Sequence, residues 1–216
     1  MIKVMFADDE ELVRSGLRAM LTGAPDIEVV AEAVDGHSVV EKVRLYRPEV
    51  ALLDIKMATE DDGLRALEQL QEMADPPYTA MLTTFDLDEY ISAALRTGAN
   101  GFLLKDVDPE VLTRSLRDLA SGGAVLDPSV AARMVHSQRD ELRAAEPARE
   151  LLSVLSERER EVIRLVGRGL ANAEIGAELH LSEATVKGYV STVLDKIGVD
   201  NRVQAALLAY RSGLVA

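Results

Sequence analysis

A chain of 216 residues with 48% hydrophobic side chains is long enough for two small domains, each with its own core. It has no cysteine, which excludes disulfides, thiolate nucleophiles and Cys-based zinc sites, and its three histidines are too scattered for a His-based metal centre. The net charge of −13 is uneven: residues 1–121 carry 24 acidic and 12 basic side chains, while residues 156–216 carry eight of each, which leaves a nucleic-acid partner open only for the second part.

The first 121 residues alternate strand and helix patterns. Ile2–Ala7 is an apolar run, followed by a helical stripe over Glu11–Leu21 with Leu12, Val13, Leu17, Met20 and Leu21 in register. Glu28–Glu32 reads as a short strand, Gly36–Tyr46 as a helix ending before Pro48, and Val50–Asp54 as a buried strand. Gly63–Met73 is helical and stops before Pro76-Pro77. Thr79–Thr83 is a strand, Asp88–Thr97 a helix closed by Gly98, Gly101–Leu104 a strand, and Pro109–Ser121 a helix with proline near its start. Five strands and five helices in strict alternation predict an α/β doubly wound, five-stranded parallel sheet.

Ser121-Gly122-Gly123 breaks the pattern. Residues 122–150 are expected to be a linker. Within them Pro128–Leu142 has helical composition, and Ala144–Ala148 has the composition of a spacer. From Leu151 the chain reads as all helix. Ser156 and Glu159 fit a capping box. A helix to Arg168, a short helix over Asn172–Leu179, a turn at His180-Leu181, a longer helix over Glu183–Ile197 capped by Ser182, and a last helix over Arg202–Tyr210 follow. No stretch approaches the ~18 apolar residues of a membrane span. The Met1 start lacks a charged-then-apolar leader, so a soluble, cytoplasmic protein with no membrane contact is expected.

The chemistry lies at the strand ends. Ile2–Ala7 ends in Asp8-Asp9, Val50–Leu53 in Asp54, Ala80–Leu82 in Thr83, and Gly101–Leu104 in Lys105. In a parallel sheet these ends share one edge, where ligands bind. Three carboxylates in one crevice repel unless a cation sits among them, and magnesium favours such oxygen ligands. Asp54 can then act as a nucleophile toward phosphorus, with Lys105 and Thr83 contacting the phosphoryl oxygens. Taken singly, each residue has an ordinary reading as a turn, cap or solvated side chain. It is the four successive strand ends that point to phosphate.

In the second half, two helices joined by a tight turn make a helix-turn-helix candidate, whose second helix would lie in the major groove of DNA; pattern alone does not separate such a DNA reader from a small helical interaction domain. Thr185, Lys187, Gly188 and Ser191 are its candidate contact residues, and Val186, Val190, Val193 and Leu194 its core stripe. Gly188 costs about 1 kcal/mol relative to alanine inside a helix. Either a close approach compensates for it, or it is a tolerated surface glycine.

The segments Leu155–Val162, Gly169–Ile175, Leu181–Lys187 and Lys196–Val199 closely resemble the LuxR-type helix-turn-helix. That resemblance implies a four-helix domain over 151–216 whose third helix reads DNA and whose last helix commonly pairs two copies. Where the family usually has histidine two residues after this lysine, the chain has Tyr189. Phe6–Glu10, Leu52–Met57, Met81–Asp86 and Gly101–Asp106 resemble a two-component receiver domain, flavodoxin-like in fold, over 1–121.

Together the two halves resemble a response regulator of the NarL/FixJ type, which is not an enzyme. The resemblance implies a sensor histidine kinase as phosphoryl donor, Asp54 as acceptor, and Mg2+ on Asp8, Asp9, Asp54 and the carbonyl of Lys56. It further implies phosphate sensing by Thr83 and Lys105, with Phe102 as an aromatic switch, although a phenylalanine in a strand is also ordinary core. Thr84–Leu87 and Asp106–Pro109 would move with the sensors. A homodimer on activation would then bind double-stranded DNA. Two rival readings are a phosphatase, disfavoured because Lys56 stands where its general acid would be, and a regulator that is never phosphorylated. The chain also departs from the receiver pattern after Met57: Ala58 replaces proline, and Gly63 comes one residue late. A loosened, acidic loop at 58–62 is therefore expected to weaken metal binding or shorten the phosphate lifetime.

Overall fold

The computed structural model of the chain describes residues 1–83, 88–127 and 145–215. It divides into two compact units, Met1–Ala120 with Val125–Asp127, and Ser121–Ala124 with Pro128–Ala216. No described helix is long and apolar enough to cross a membrane.

In the first unit the strands are β1 (Ile2–Ala7), β2 (Ile27–Ala33), β3 (Val50–Asp54), β4 (Tyr78–Thr83), β5 (Gly101–Leu104) and β6 (Val125–Leu126). The helices are α1 (Glu11–Leu21), α2 (Gly36–Tyr46), α3 (Asp62–Gln71), α4 (Asp88–Thr97) and α5 (Pro109–Ala120). All pairings are parallel, in the order β2-β1-β3-β4-β5-β6. The expected count of five strands is corrected to six. Val125 and Leu126 pair with Gly101 and Phe102 at the sheet edge. A two-residue strand beside Gly122-Gly123 has no periodicity to betray it. It also lies inside the segment expected to be linker.

β3, β4 and β5 are almost wholly buried, which requires cover on both faces and explains their unbroken apolar runs. Leu17 and Leu21 of α1 and Leu112, Leu116 and Leu119 of α5 pack on one face with Phe6, Leu52, Leu82 and Leu103. The register sets the functional edge. Ala7 is opposite Leu53, and Thr83 opposite Leu104, so the residues that follow these pairs emerge together. Chain order reverses between β1 and β3, the switch point at which such sheets bind ligands.

The second unit contains α6 (Ala145–Ser153), α7 (Glu157–Gly167), α8 (Asn172–Leu179), α9 (Glu183–Ile197) and α10 (Arg202–Arg211). α6 starts inside the expected spacer at 144–148. Alanine and glutamate there favour helix, and Pro147 falls in the first turn, where a missing N–H costs nothing. Pro128–Leu142 lies outside the described residues. The Ser156–Glu159 capping box forms as expected, with Ser156 N donating to Glu159 Oε2 at 2.9 Å and Glu159 N to Ser156 Oγ at 3.3 Å. Ser182 caps α9 and Asn201 caps α10. Val186 and Val193 are buried in the helical core, with Val190 and Leu194 packed against it, as the stripe predicts.

Candidate functional site

The strand ends of the first unit converge. One carboxylate oxygen from each of Asp8, Asp9 and Asp54 lies within 4.8 Å of the others. Lys105 extends from the end of β5 across to β3 and β1, placing Nζ 2.8 Å from Asp54 Oδ2 and 2.9 Å from Asp8 Oδ2. Asp8 is fully buried and Asp54 nearly so, whereas Asp9 is exposed. Of these two adjacent residues after β1, Asp8 is the one that points inward. Its backbone is pinned as well, since Asp8 Oδ1 accepts from Glu10 N at 2.9 Å and its carbonyl accepts from Arg14 at 2.8 Å.

Burial pushes the Asp54 carboxyl up to about 6. The Lys105 ammonium works against that shift, and the negative charge of Asp8 adds to it. Burial also disfavours the Lys105 charge, but its pairing with the Asp54 and Asp8 carboxylates outweighs that and holds Lys105 above the ordinary lysine range. The crevice thus has more negative charge than one ammonium satisfies. Buried Asp8 Oδ2 meets Lys105 only as an ion pair and takes no aligned hydrogen bond. An oxygen-rich pocket with an under-satisfied buried carboxylate fits a hard divalent cation.

Thr83 is buried at the end of β4, and its carbonyl accepts from Lys105 N at 3.0 Å, so the two sensor candidates are tied through the backbone. Phe102 is fully buried in β5, beside Met81 and Leu126. Thr84–Leu87, expected to move with Thr83, lie outside the described residues. Glu10 is a neighbour that sequence reasoning missed. Its Oε1 lies 3.5 Å from Lys105 Nζ.

The loop after Asp54 is held by several hydrogen bonds and ion pairs. Met57 N and Asp62 N both donate to the Thr59 carbonyl. Its three acidic side chains are each engaged: Asp62 accepts from Gly36 N at 2.8 Å, Asp61 pairs with Arg65, and Glu60 Oε2 takes Tyr90 Oη at 3.1 Å and Lys56 Nζ at 3.4 Å. Gly63 closes the loop against β3. A Cβ there would lie 1.9 Å from the Asp54 carbonyl oxygen, and Gly63 N donates to the Ile55 carbonyl. The extra residue is absorbed in a braced turn, and the glycine keeps its place against the acceptor strand.

In the second unit, α8 ends at His180 in a left-handed conformation. A Cβ on Gly176 would lie 2.7 Å from the Leu181 carbonyl oxygen, so a glycine sets how tightly the turn folds back on α8. That requirement is visible in the sequence only as a glycine inside a short helix. Thr185, Lys187, Gly188 and Ser191 all lie on the exposed side of α9. Thr185 Oγ1 is 2.7 Å from Ser182 Oγ, within the cap. Tyr189 is half-buried and packs against the helical core. α9 is anchored at its far end by Lys196, whose Nζ lies 2.8 Å from Oε1 of buried Glu159. The capping-box pattern reveals Glu159 but not this second partner, which comes from 37 residues away.

Residues 4–117 match the family model described as response regulator receiver domain, and residues 153–209 the one described as bacterial regulatory proteins, luxR family. The chain is 35% identical to the transcriptional regulatory protein LnrK of Bacillus subtilis, over 99% of both chains. Among solved structures it resembles the response regulator ChrA of a heme-sensing two-component system, with 34% identity, a TM-score of 0.54, and coverage of 99% of this chain and 98% of that one. It also resembles RcsB, solved as two dimers bound to two parallel DNAs, with 25% identity, a TM-score of 0.56 and 99% of both chains covered.

Proposed function

Because the chain belongs to the NarL/FixJ type of response regulators, a receiver joined to a LuxR-type helix-turn-helix, we propose that Asp54 accepts a phosphoryl group from a sensor histidine kinase and that this converts the chain into a homodimer that binds double-stranded DNA through α9. The protein is a phosphorelay transcription regulator, a signal transducer rather than an enzyme. The supporting observation is the Lys105 ammonium shared between Asp8 and Asp54 at the switch point of the sheet. In this reading residues 1–121 are the receiver, with β6 added to the edge of its sheet, and 151–216 the DNA-binding domain, with α6 beginning before it; the rest of 122–150 is the linker.

Asp8, Asp9, Asp54 and the Lys56 carbonyl would hold Mg2+, which when bound neutralises the carboxylates and draws charge from phosphoryl oxygens. An Asp54 oxygen attacks phosphorus, the bond to the donor histidine nitrogen breaks, and the electron pair leaves with the imidazole. One carboxylate charge becomes about two, with three acceptor oxygens. Lys105 then exchanges its carboxylate pair for a phosphoryl oxygen, and the Thr83 hydroxyl donates to another. The two are joined by the Lys105 N–Thr83 carbonyl bond, so the ends of β4 and β5 move as one. Phe102, in β5 beside Met81 of β4, would respond to that movement as the aromatic switch. Such a charge event biases a bistable element. Two copies then present two α9 helices, with Thr185, Lys187, Gly188 and Ser191 toward base edges and phosphates.

Size-exclusion chromatography and retention of fragmented genomic duplex DNA, before and after acetyl phosphate with Mg2+, test this reading. The expected result is a shift from monomer to dimer together with at least a ~10-fold gain in retained DNA, both absent in Asp54→Ala. Unchanged size and retention would overturn it.

A further inference from the structure

Gly188 occupies the middle of the exposed side of α9, three residues after Thr185 and three before Ser191. Nothing among the described residues calls for a glycine there. Its φ is outside the left-handed region, and a Cβ built on it meets no atom within 4 Å. Other glycines of the unit show the contrast. A Cβ on Gly167 would come within 2.9 Å of Ala209 Cβ, and one on Gly176 within 2.7 Å of a backbone oxygen. A helix-interior glycine sacrifices stability through its unfolded-state freedom, and at Gly188 no contact among the described residues offsets that loss. The side chains one turn away on this side of the helix, Ala184, Thr185, Ser191 and Thr192, are short, and two of them are turned to local partners. Thr192 Oγ1 donates to the Gly188 carbonyl at 2.9 Å, and the Thr185 hydroxyl meets Ser182. The backbone of α9 is therefore at its most approachable at this point.

We propose that Gly188 is a specificity-determining position of α9: the missing side chain lets the helix backbone seat against base edges of a DNA duplex at a depth that even a methyl group would prevent. This rests on the DNA-binding reading above. Phosphate contacts position a protein and base contacts specify sequence. Lifting the helix by a methyl group should therefore weaken sequence preference more than overall attraction to DNA.

The test uses the full chain, treated with acetyl phosphate and Mg2+, to select duplexes from a randomised pool. Gly188→Ala is then compared with the unsubstituted chain on a selected and an unselected duplex, and by thermal melting. The melting midpoint is expected to rise by about 4 °C. Affinity for the selected duplex is expected to fall at least about 10-fold, equivalent to loss of one good base contact, with less than about 2-fold change on the unselected duplex. A higher midpoint with undiminished affinity and preference would overturn the inference and leave the DNA-binding reading intact. A lowered midpoint would also overturn it, by showing that the fold itself requires the glycine. If the unsubstituted chain enriches no sequence, the DNA-binding reading fails and the inference falls with it.

Discussion

Gly63→Ala is expected to cost about 3 kcal/mol of stability and to slow phosphorylation of Asp54 by about 100-fold. The added methyl would sit 1.9 Å from the Asp54 carbonyl oxygen, and that oxygen belongs to the strand end itself, so no flexible side chain can move aside. Either α3 retreats, breaking the Gly63 N–Ile55 carbonyl bond, or the end of β3 shifts and carries the acceptor carboxylate with it. Denaturant melts and the rate of phosphorylation by acetyl phosphate check the two effects. Gly16→Ala is the matched control. It lies within α1, where a Cβ meets nothing within 4 Å, and should be neutral or mildly stabilising. Equal behaviour of the two variants would refute the close packing of Gly63 on the acceptor strand.

The second large effect concerns Lys105. Removing one partner of a buried charge pair leaves the other uncompensated, at a cost of about 3–5 kcal/mol. In EDTA, Lys105→Met should lose about 3 kcal/mol, because Asp8 and Asp54 then face each other with no ammonium between them. Excess Mg2+ should recover most of that loss, since a cation fitted to the same carboxylates substitutes for the missing charge. The pH dependence has a definite sign. The Asp54 carboxyl titrates at about 6 in the fold, against 3.8 for an unperturbed aspartate. The folded chain therefore binds this proton more tightly than the unfolded chain does. The resulting contribution is fully present below pH ~4 and is lost as pH rises through ~6. In EDTA the unsubstituted chain should lose stability across that window. Lys105→Met should lose more, over a window extended upward. Melting curves from pH 4 to pH 8, with and without Mg2+, measure both. A variant as stable as the parent at pH 7.5 in EDTA would contradict the shared ion pair.

Much of this architecture is legible in the sequence because burial on both faces forces unbroken apolar runs. The strands Val50–Asp54 and Thr79–Thr83 could be placed to within a residue, and the polar residues ending them marked the functional edge. What escaped lacks periodicity or depends on distant partners. Val125–Leu126 is too short to carry a pattern, and the start of α6 was hidden by a composition shared by spacers and helices. The loop at 58–62 shows the limit of counting residues. The missing proline and the extra residue suggested slackness. The pairing of Asp62 with Gly36 N and of Glu60 with Tyr90 could not be foreseen, because those partners lie 26 and 30 residues away. The same holds for Glu159 and Lys196, one a recognisable cap residue and the other an ordinary cation in a last helical turn. Gly63 and Gly176 appear in the sequence only as glycines; the carbonyl oxygens that demand them belong to other segments.

The most direct measurement of the central claim is intact mass with peptide mapping after incubation with acetyl phosphate and Mg2+. One phosphoryl group per chain, on the peptide that contains Asp54, absent in Asp54→Asn and absent in EDTA, is the predicted result. No mass gain in the unsubstituted chain, or an undiminished gain in Asp54→Asn, would contradict the account.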